Sequence, residues 1–405
     1  MKLDYKKTFL LGFGFLGISV IWSVYNSYVP IFLREYSLPL WLVGLIMTFD
    51  NIAGITIQPY VGFLSDRTRT RFGRRMPFLM VGAPIGALFF ALIPILHLSI
   101  PIFPLLLVAI IIMNIAMAIF RTPTVALMPD ITPSPLRSKA NGIINLMGGL
   151  GTTLAFLGGA FLYSINRGLP FWFGAALMLV ATAIVLLVIR EPKDHEQQAD
   201  TRTGVLATIR EIVTSQEKSA LFILLAIFAW FVGYNAIETF WTTYGKEFLG
   251  IPENSAAAML TYTSVAFLVF ALPAGFIATR FGRRRTILAG LTIMLLLTFG
   301  GFLTTSRLYL TVMLILAGIG WALININSFP MISDIAPPGK IGSYTGLYYF
   351  FSMSAAIAAP PLVGALMDLL GHRTLFLFSP LFFLLAMLCM QRVKRGEAHS
   401  SAQAA

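Results

Sequence analysis

Gly62-Phe63-Leu64-Ser65-Asp66-Arg67-Thr68-Arg69-Thr70-Arg71-Phe72-Gly73-Arg74-Arg75 closes one apolar segment, and Gly275-Phe276-Ile277-Ala278-Thr279-Arg280-Phe281-Gly282-Arg283-Arg284-Arg285 closes another. In each, an apolar run ends in a loop where Phe-Gly-Arg precedes further arginines, and apolar sequence then resumes. The two Phe-Gly-Arg triplets lie 209 positions apart, and so do Tyr25-Asn26 and Tyr234-Asn235. Pro129-Asp130-Ile131-Thr132-Pro133 is likewise mirrored by Ser333-Asp334-Ile335-Ala336-Pro337, with Gly142 and Gly346 following at one common interval. Three echoes in the same order imply a duplicated chain.

Composition says where such a chain lives. Of 405 residues, 57% are hydrophobic and 11% charged, and the mean hydropathy is +0.82. No soluble core could hide that much apolar surface. Apolar runs long enough to cross a hydrocarbon layer of about 30 Å recur throughout. The expected spans are 8–33, 39–64, 76–96, 102–127, 140–163, 169–190, 219–245, 255–279, 286–304, 308–332, 342–370 and 373–392. Runs of this length are helices, not barrel strands, so the fold class is an all-α membrane protein of about twelve transmembrane helices. Lys2, Lys6 and Lys7 ahead of the first run have no small-residue cleavage site after them, so that run is read as the first span.

The net charge of +12 is an argument about topology. Lys and Arg gather at 67–75, at Arg137 and Lys139, at 190–218, at 280–285, at Lys340 and at 392–395, all on one side if the span number is even. The positive-inside rule makes that side, and both termini, cytoplasmic in a multi-pass cell-membrane protein. The opposite loops carry scattered bases: Arg34, Arg167, Lys246, Arg307 and Arg373. Because the bases sit in short connectors between spans, nucleic acid is not the expected partner; membrane lipid is. Cys389 is the single cysteine, and the histidines, His97, His195, His372 and His399, are scattered. Neither disulfide nor metal site follows, and no cofactor motif or catalytic constellation can be assembled, so an enzyme is not expected.

The polar interval 191–218 divides residues 1–190, a six-helix bundle, from a second bundle at 219–392 and a tail at 393–405. Repeats of equal orientation imply two bundles related by an axis along the membrane normal, with a small-molecule site between them near the midplane and no need of a second copy.

The residues around the first basic loop resemble the major facilitator superfamily, and within it the branch of sucrose transporters and glycoside-pentoside-hexuronide cation symporters. The resemblance is carried by Gln58-Pro59-Tyr60-Val61-Gly62-Phe63-Leu64-Ser65-Asp66-Arg67, by Arg71-Phe72-Gly73-Arg74-Arg75-Met76-Pro77-Phe78, and by Pro123-Thr124-Val125-Ala126-Leu127-Met128-Pro129-Asp130 with Arg137 and Ala140-Asn141. It implies alternating access and proton-coupled symport of a disaccharide or related glycoside. Asn114 and Val125 stand where the sucrose-transporter pattern has an aspartate and an arginine, and Gln58 stands where melibiose-type relatives have a cation-binding carboxylate. Those contacts are not carried over. In the family the basic loops act as cytoplasmic gates, which points to Asp66, Arg67, Arg71, Gly73, Arg74, Arg75, Asp130 and Arg137 in the first copy and Arg280, Gly282, Arg283 and Asp334 in the second. The helix dipole of the eleventh span near Ser343 is a candidate partner for Asp66, and Thr279 in its place makes the second clasp the weaker.

Charges inside spans mark function by default, since each costs roughly 2.5–3.5 kcal/mol at mid-membrane. Asp50, Arg121 and Glu238 are the three, expected to carry proton coupling, with Arg121 also able to hold sugar hydroxyls. Tyr234, Asn235, Glu238 and Trp241 share a helical face in the seventh span, and Trp22, Tyr25 and Asn26 lie similarly in the first. Rings that pack on a sugar's C–H face beside amides that bond its hydroxyls suit a glycoside. Asn114 and Asn325 extend that polar lining, together with Asn145, Trp321, Asn327, Tyr348 and Ser352. An interfacial aromatic belt and interhelical hydrogen bonds explain many of the same residues. An efflux pump for amphipathic compounds on the same fold, or a non-transporting membrane sensor, stays open as an alternative.

Overall fold

The computed structural model describes residues 4–132, 136–189, 191, 205–337 and 340–396, and among these every regular element is helical. In chain order they are α1 Tyr5–Arg34, α2 Leu40–Met47, α3 Phe49–Arg67, α4 Met76–Leu98, α5 Phe103–Ile131, α6 Arg137–Ile165, α7 Leu169–Val188, α8 Val205–Thr214, α9 Ser219–Glu247, α10 Glu253–Phe281, α11 Arg283–Leu303, α12 Arg307–Ile335, α13 Ile341–Leu370 and α14 Leu375–Gln391. Among the described residues, twelve helices are long and apolar enough to cross a membrane, if α2 and α3 count as one. Side chains such as Leu187, 83% exposed, form an outward apolar surface that only lipid can cover.

Local chemistry sets the helix ends. The Asp4 side chain accepts from the Lys7 amide at 2.9 Å and caps α1, and Pro77, Pro104 and Pro170 occupy first turns, where a missing N–H costs nothing. The second span differs from its expectation as one helix. Its ladder is interrupted at Thr48, so Asp50 sits in the first turn of α3, where the helix dipole favours a negative charge.

The chain forms two compact units. Unit 1 comprises Met1–Leu38, Ile46–Gln197 and Trp241–Thr261. Within it α1 packs on α6 and α7, α4 on α5 and α7, and α3 on α5. Since lipid gives no hydrophobic drive between helices, close packing must hold them together, and a Cβ on Gly151 would come within 2.6 Å of the Leu16 carbonyl oxygen. Phe90 and Phe32 pack on Phe171 at 5.0 and 5.5 Å.

Unit 2 comprises Pro39–Leu45, Gln198–Phe240 and Tyr262–Ala405, with α11 against α12 and α14, and a core around Trp230, Trp321 and Phe383. Part of the interval read as linker is α8. Thr208 and Ile212 are buried and Ile209 half-buried on the unit 2 core, and Lys340 Nζ donates to both Glu211 oxygens at 2.6 and 2.7 Å. Residues 192–204 lie outside the described set.

Candidate functional site

Unit 1 gathers Trp22, Tyr25, Asp50, Asn114 and Arg121. Tyr25, fully buried on α1, accepts a hydrogen bond from Asn114 Nδ2 of α5 at 3.4 Å, and Trp22 meets its ring edge-on at 5.6 Å. Asn51 Nδ2 donates to Asp50 at 2.7 Å, and Asp50 is within electrostatic reach of the Arg121 guanidinium and the Tyr25 hydroxyl. Asn26 is half-buried beside them on α1. Two buried polar atoms here, Trp22 Nε1 and Asn114 Oδ1, have no hydrogen-bond partner. Each such orphan costs about 1–3 kcal/mol. One is a donor and the other an acceptor, the complement of a hydroxyl, which does both.

Unit 2 gathers a second cluster. Tyr234 of α9 stacks on Trp321 of α12 at 3.9 Å and 9°, and Phe231 meets Trp321 edge-on at 5.3 Å. The Tyr348 hydroxyl shares a hydrogen bond with Ser328 Oγ at 3.2 Å. Glu238, one turn from Tyr234, acts electrostatically on its hydroxyl. Asn235 donates to its own helix at the Phe231 carbonyl, 2.7 Å, and half-buried Asn325 lends its carbonyl to Ser328 Oγ at 2.9 Å. Trp241 falls in unit 1. It is wholly buried and its Nε1 donates to the Ala256 carbonyl at 2.8 Å, so its indole serves packing of α9 on α10. Phe231 is absent from the sequence reading because an apolar ring gives no signal of a site.

The first basic loop is a clasp. Arg74 Nη2 donates to Asp130 at 2.6 Å and Arg75 Nε to its other oxygen at 3.1 Å. Arg75 also bonds Asp66 and Ser65, and Arg74 lies 3.8 Å from Asp66. Within unit 1, Asp66 therefore faces these two arginines. Glu191 organises the turn beneath them: its carboxylate accepts from the backbone amides of Arg74, Arg75 and Met76 at 2.8, 2.8 and 3.0 Å, capping α4. Gly73 makes this approach possible, with φ 115° and a Cβ position 2.7 Å from the Glu191 carboxyl. Arg67 and Arg71 stay outside the clasp, over Phe63 at 4.0 Å and Phe72 at 4.6 Å. α6 begins at Arg137, whose side chain lies outside the described set.

The second copy has the same plan with different acceptors. Gly282 has φ 93°, Arg283 pairs with Asp334 and reaches the Gly396 carbonyl at 3.3 Å. Arg284 donates to the carbonyls of Met390 and Gln391 at 3.0 and 2.6 Å, at the C-terminal end of α14. Thr279 bonds its own helix and Arg280 lies over Phe281 at 5.4 Å.

At the opposite end of unit 1 lies a charge network that the sequence shows only as scattered bases. Arg167 donates to both Glu35 oxygens at 2.6 and 3.2 Å, His97 Nε2 is 2.8 Å from the same carboxylate, and Lys246 bridges Glu35 at 3.2 Å and Glu253 at 2.5 Å. Tyr163 receives the Arg167 Nε proton at 2.8 Å and bonds Glu253, while Arg34 holds Glu247 bidentately at 2.7 and 2.9 Å. Burial pushes the Glu35 carboxyl up, but hydrogen bonds from Arg167, His97 and Lys246 outweigh it and bring it from 4.5 down to about 2. A depressed pKa means stabilisation that is whole above pH 4.5 and lost as pH falls toward 2. Thermal midpoints between pH 6 and pH 3 are therefore expected to fall for wild type by several degrees more than for Glu35→Gln; equal slopes would show that Glu35 carries none of the acid sensitivity.

Three comparisons place this geometry. Multidrug resistance protein 2 of Bacillus subtilis (strain 168) is 26% identical over 371 residues, covering 90% of this chain and 88% of that protein. Proton-associated sugar transporter A of Homo sapiens is 36% identical over 85 residues, 21% of this chain and 11% of that one. The crystal structure of the nucleoside transporter NupG superposes with a TM-score of 0.73 at 14% identity, covering 96% of this chain and 99% of that one, which shows the fold. A family model described as MFS/sugar transport protein matches residues 10–343, and with twelve membrane-length helices on the major facilitator fold, this chain belongs to that family of transporters and is not an enzyme.

Proposed function

We propose that this transporter is a proton-coupled symporter of a disaccharide or related glycoside, working by alternating access in the cell membrane as a monomer. The observation that carries the reading is Asp50 within electrostatic reach of Arg121 and Tyr25, with an orphaned donor on Trp22 and an orphaned acceptor on Asn114, both of which contact Tyr25. A hydroxyl answers both orphans. An aspartate with a fixed cation nearby can exchange the cation's attraction for a proton, which gives the coupling step. In unit 2, the Tyr234–Trp321 stack supplies a flat apolar surface for a C–H face, with Glu238, Asn235 and Asn325 as polar neighbours.

On this reading both termini and the basic clasps are cytoplasmic, in keeping with the positive-inside distribution. Residues 1–190 and 219–392 act as the two moving bundles, joined through 191–218 and followed by the tail 393–405. Arg74, Arg75, Asp66 and Asp130 work as the first cytoplasmic clasp, and Arg283 and Asp334 as the second.

A second reading is export of amphipathic compounds, favoured by the coverage of multidrug and tetracycline resistance proteins along most of the chain. Uptake of labelled sucrose, maltose, trehalose and simple glucosides into proteoliposomes, with and without an inward proton gradient, separates the two. Gradient-driven accumulation of at least one glycoside is the expected result. No sugar movement together with gradient-driven extrusion of cationic dyes would replace the symport reading by export.

A further inference from the structure

The first basic turn holds more charge than its clasp uses. Asp66 and Asp130 are taken by Arg74 and Arg75, while Arg67, Arg69 and Arg71 are exposed and form no ion pair among the described residues. The second turn lacks this surplus. Asp66 and Phe72 stand six positions apart where Thr279 and Phe281 stand two apart, and of the three spare arginines only Arg71 has a counterpart, Arg280, just before its Phe-Gly-Arg.

The spare arginines are held in place by their own turn. Thr70 Oγ1 donates to the Gly73 carbonyl at 2.7 Å and accepts from the Phe72 amide at 3.2 Å, and Arg69 Nη1 donates to the carbonyls of Asp66 and Thr68 at 2.8 and 3.1 Å. Arg67 and Arg71 rest on the rings of Phe63 and Phe72. A guanidinium settled on a ring is steadied there, and its fork of N–H donors suits two phosphate oxygens at once. What adjoins these bases is apolar. Tyr60, Phe63, Leu64 and Arg67 follow one another at helical spacing on one face of α3, with Tyr60 65% and Phe63 51% exposed and Leu64 and Phe72 exposed as well. A free phosphate would leave that face bare. Acyl chains would cover it.

We propose that Arg67, Arg69 and Arg71 form a seat for an anionic phospholipid, with its phosphate on the three guanidinium groups and an acyl chain along Tyr60, Phe63 and Leu64. The seat lies beside the clasp and leaves Arg74 and Arg75 with their acids. It rests on the membrane-spanning fold and not on the glycoside reading.

The test titrates full-length protein, stripped of lipid in a mild detergent, with dioleoyl phosphatidylglycerol and counts bound lipid by native mass spectrometry. An arginine near an anionic headgroup is worth about fivefold in affinity, so Arg67→Ala/Arg69→Ala/Arg71→Ala is expected to weaken the tightest-bound molecule about a hundredfold. Because all three side chains are exposed, the variant is expected to keep the wild-type thermal midpoint. Phe63→Ala leaves every charge in place and is expected to weaken the same lipid severalfold. Dioleoyl phosphatidylcholine, whose phosphate is offset by its own choline, is expected to bind wild type and triple variant alike. Unchanged phosphatidylglycerol binding in the triple variant overturns the seat. So does an equal loss in Arg280→Ala/Arg285→Ala, which would assign the effect to net charge, and so does glycerol 3-phosphate binding as tightly as the lipid, which would make this a site for a free phosphate.

Discussion

Asp50→Asn is expected to abolish concentrative uptake while leaving exchange of substrate across the membrane intact. An asparagine has the shape of a protonated aspartate but cannot release a proton, so a carrier coupled through this residue would be fixed in its loaded form. With one proton per substrate, a gradient of one pH unit supports about a tenfold accumulation, since 1.4 kcal/mol corresponds to a factor of ten. In the variant that ratio should fall to one, and counterflow of labelled against unlabelled substrate should persist. Asp50 is favoured for this role because it lies in the first turn of α3 within reach of Arg121 and Tyr25, so its charge and its neutralisation both have local consequences. Glu238→Gln makes the companion measurement. If it removes accumulation while Asp50→Asn retains it, coupling belongs to α9 instead.

Arg75→Ala should be the most damaging single change to stability. The Arg75 side chain is 7% exposed and joins Asp66, Asp130 and Ser65, and Asp130 itself is only 11% exposed. Removing one partner of a buried pair costs up to about 3–5 kcal/mol, an upper bound here because Arg74 still bonds Asp130. Purified protein should lose several degrees of thermal midpoint or fail to stay monodisperse. Arg67→Ala serves as the comparison, since Arg67 is exposed over Phe63 and should change little. Equal tolerance of both substitutions would show that the clasp holds nothing together.

The contrast between these two arginines marks the limit of what the sequence discloses. Hydropathy is a local property, so the twelve spans could be read directly, and the common offset of 209 brought out both Phe-Gly-Arg turns and Tyr25 with Tyr234. Which arginines close a clasp is decided by acids far along the chain: Arg74 meets Asp130 and, through its backbone, Glu191. No spacing rule links positions so far apart. The network of Glu35, Arg167, Lys246 and Glu253 was hidden for the same reason. Thr48 interrupts the second span with neither glycine nor proline to announce it. For α8 the signal was present, as Thr208, Ile209 and Ile212 share a helical face, but the charged composition around it reads as a linker.

The two clasps descend from one pattern yet rest on different chemistry. In the first, a carboxylate, Glu191, holds the turn; in the second, Arg284 is anchored on the peptide carbonyls of Met390 and Gln391. Each turn is closed by groups more than 100 positions further along the chain, 116 for Arg75 and Glu191 and 106 for Arg284 and Met390, so neither can set until the spans between have packed.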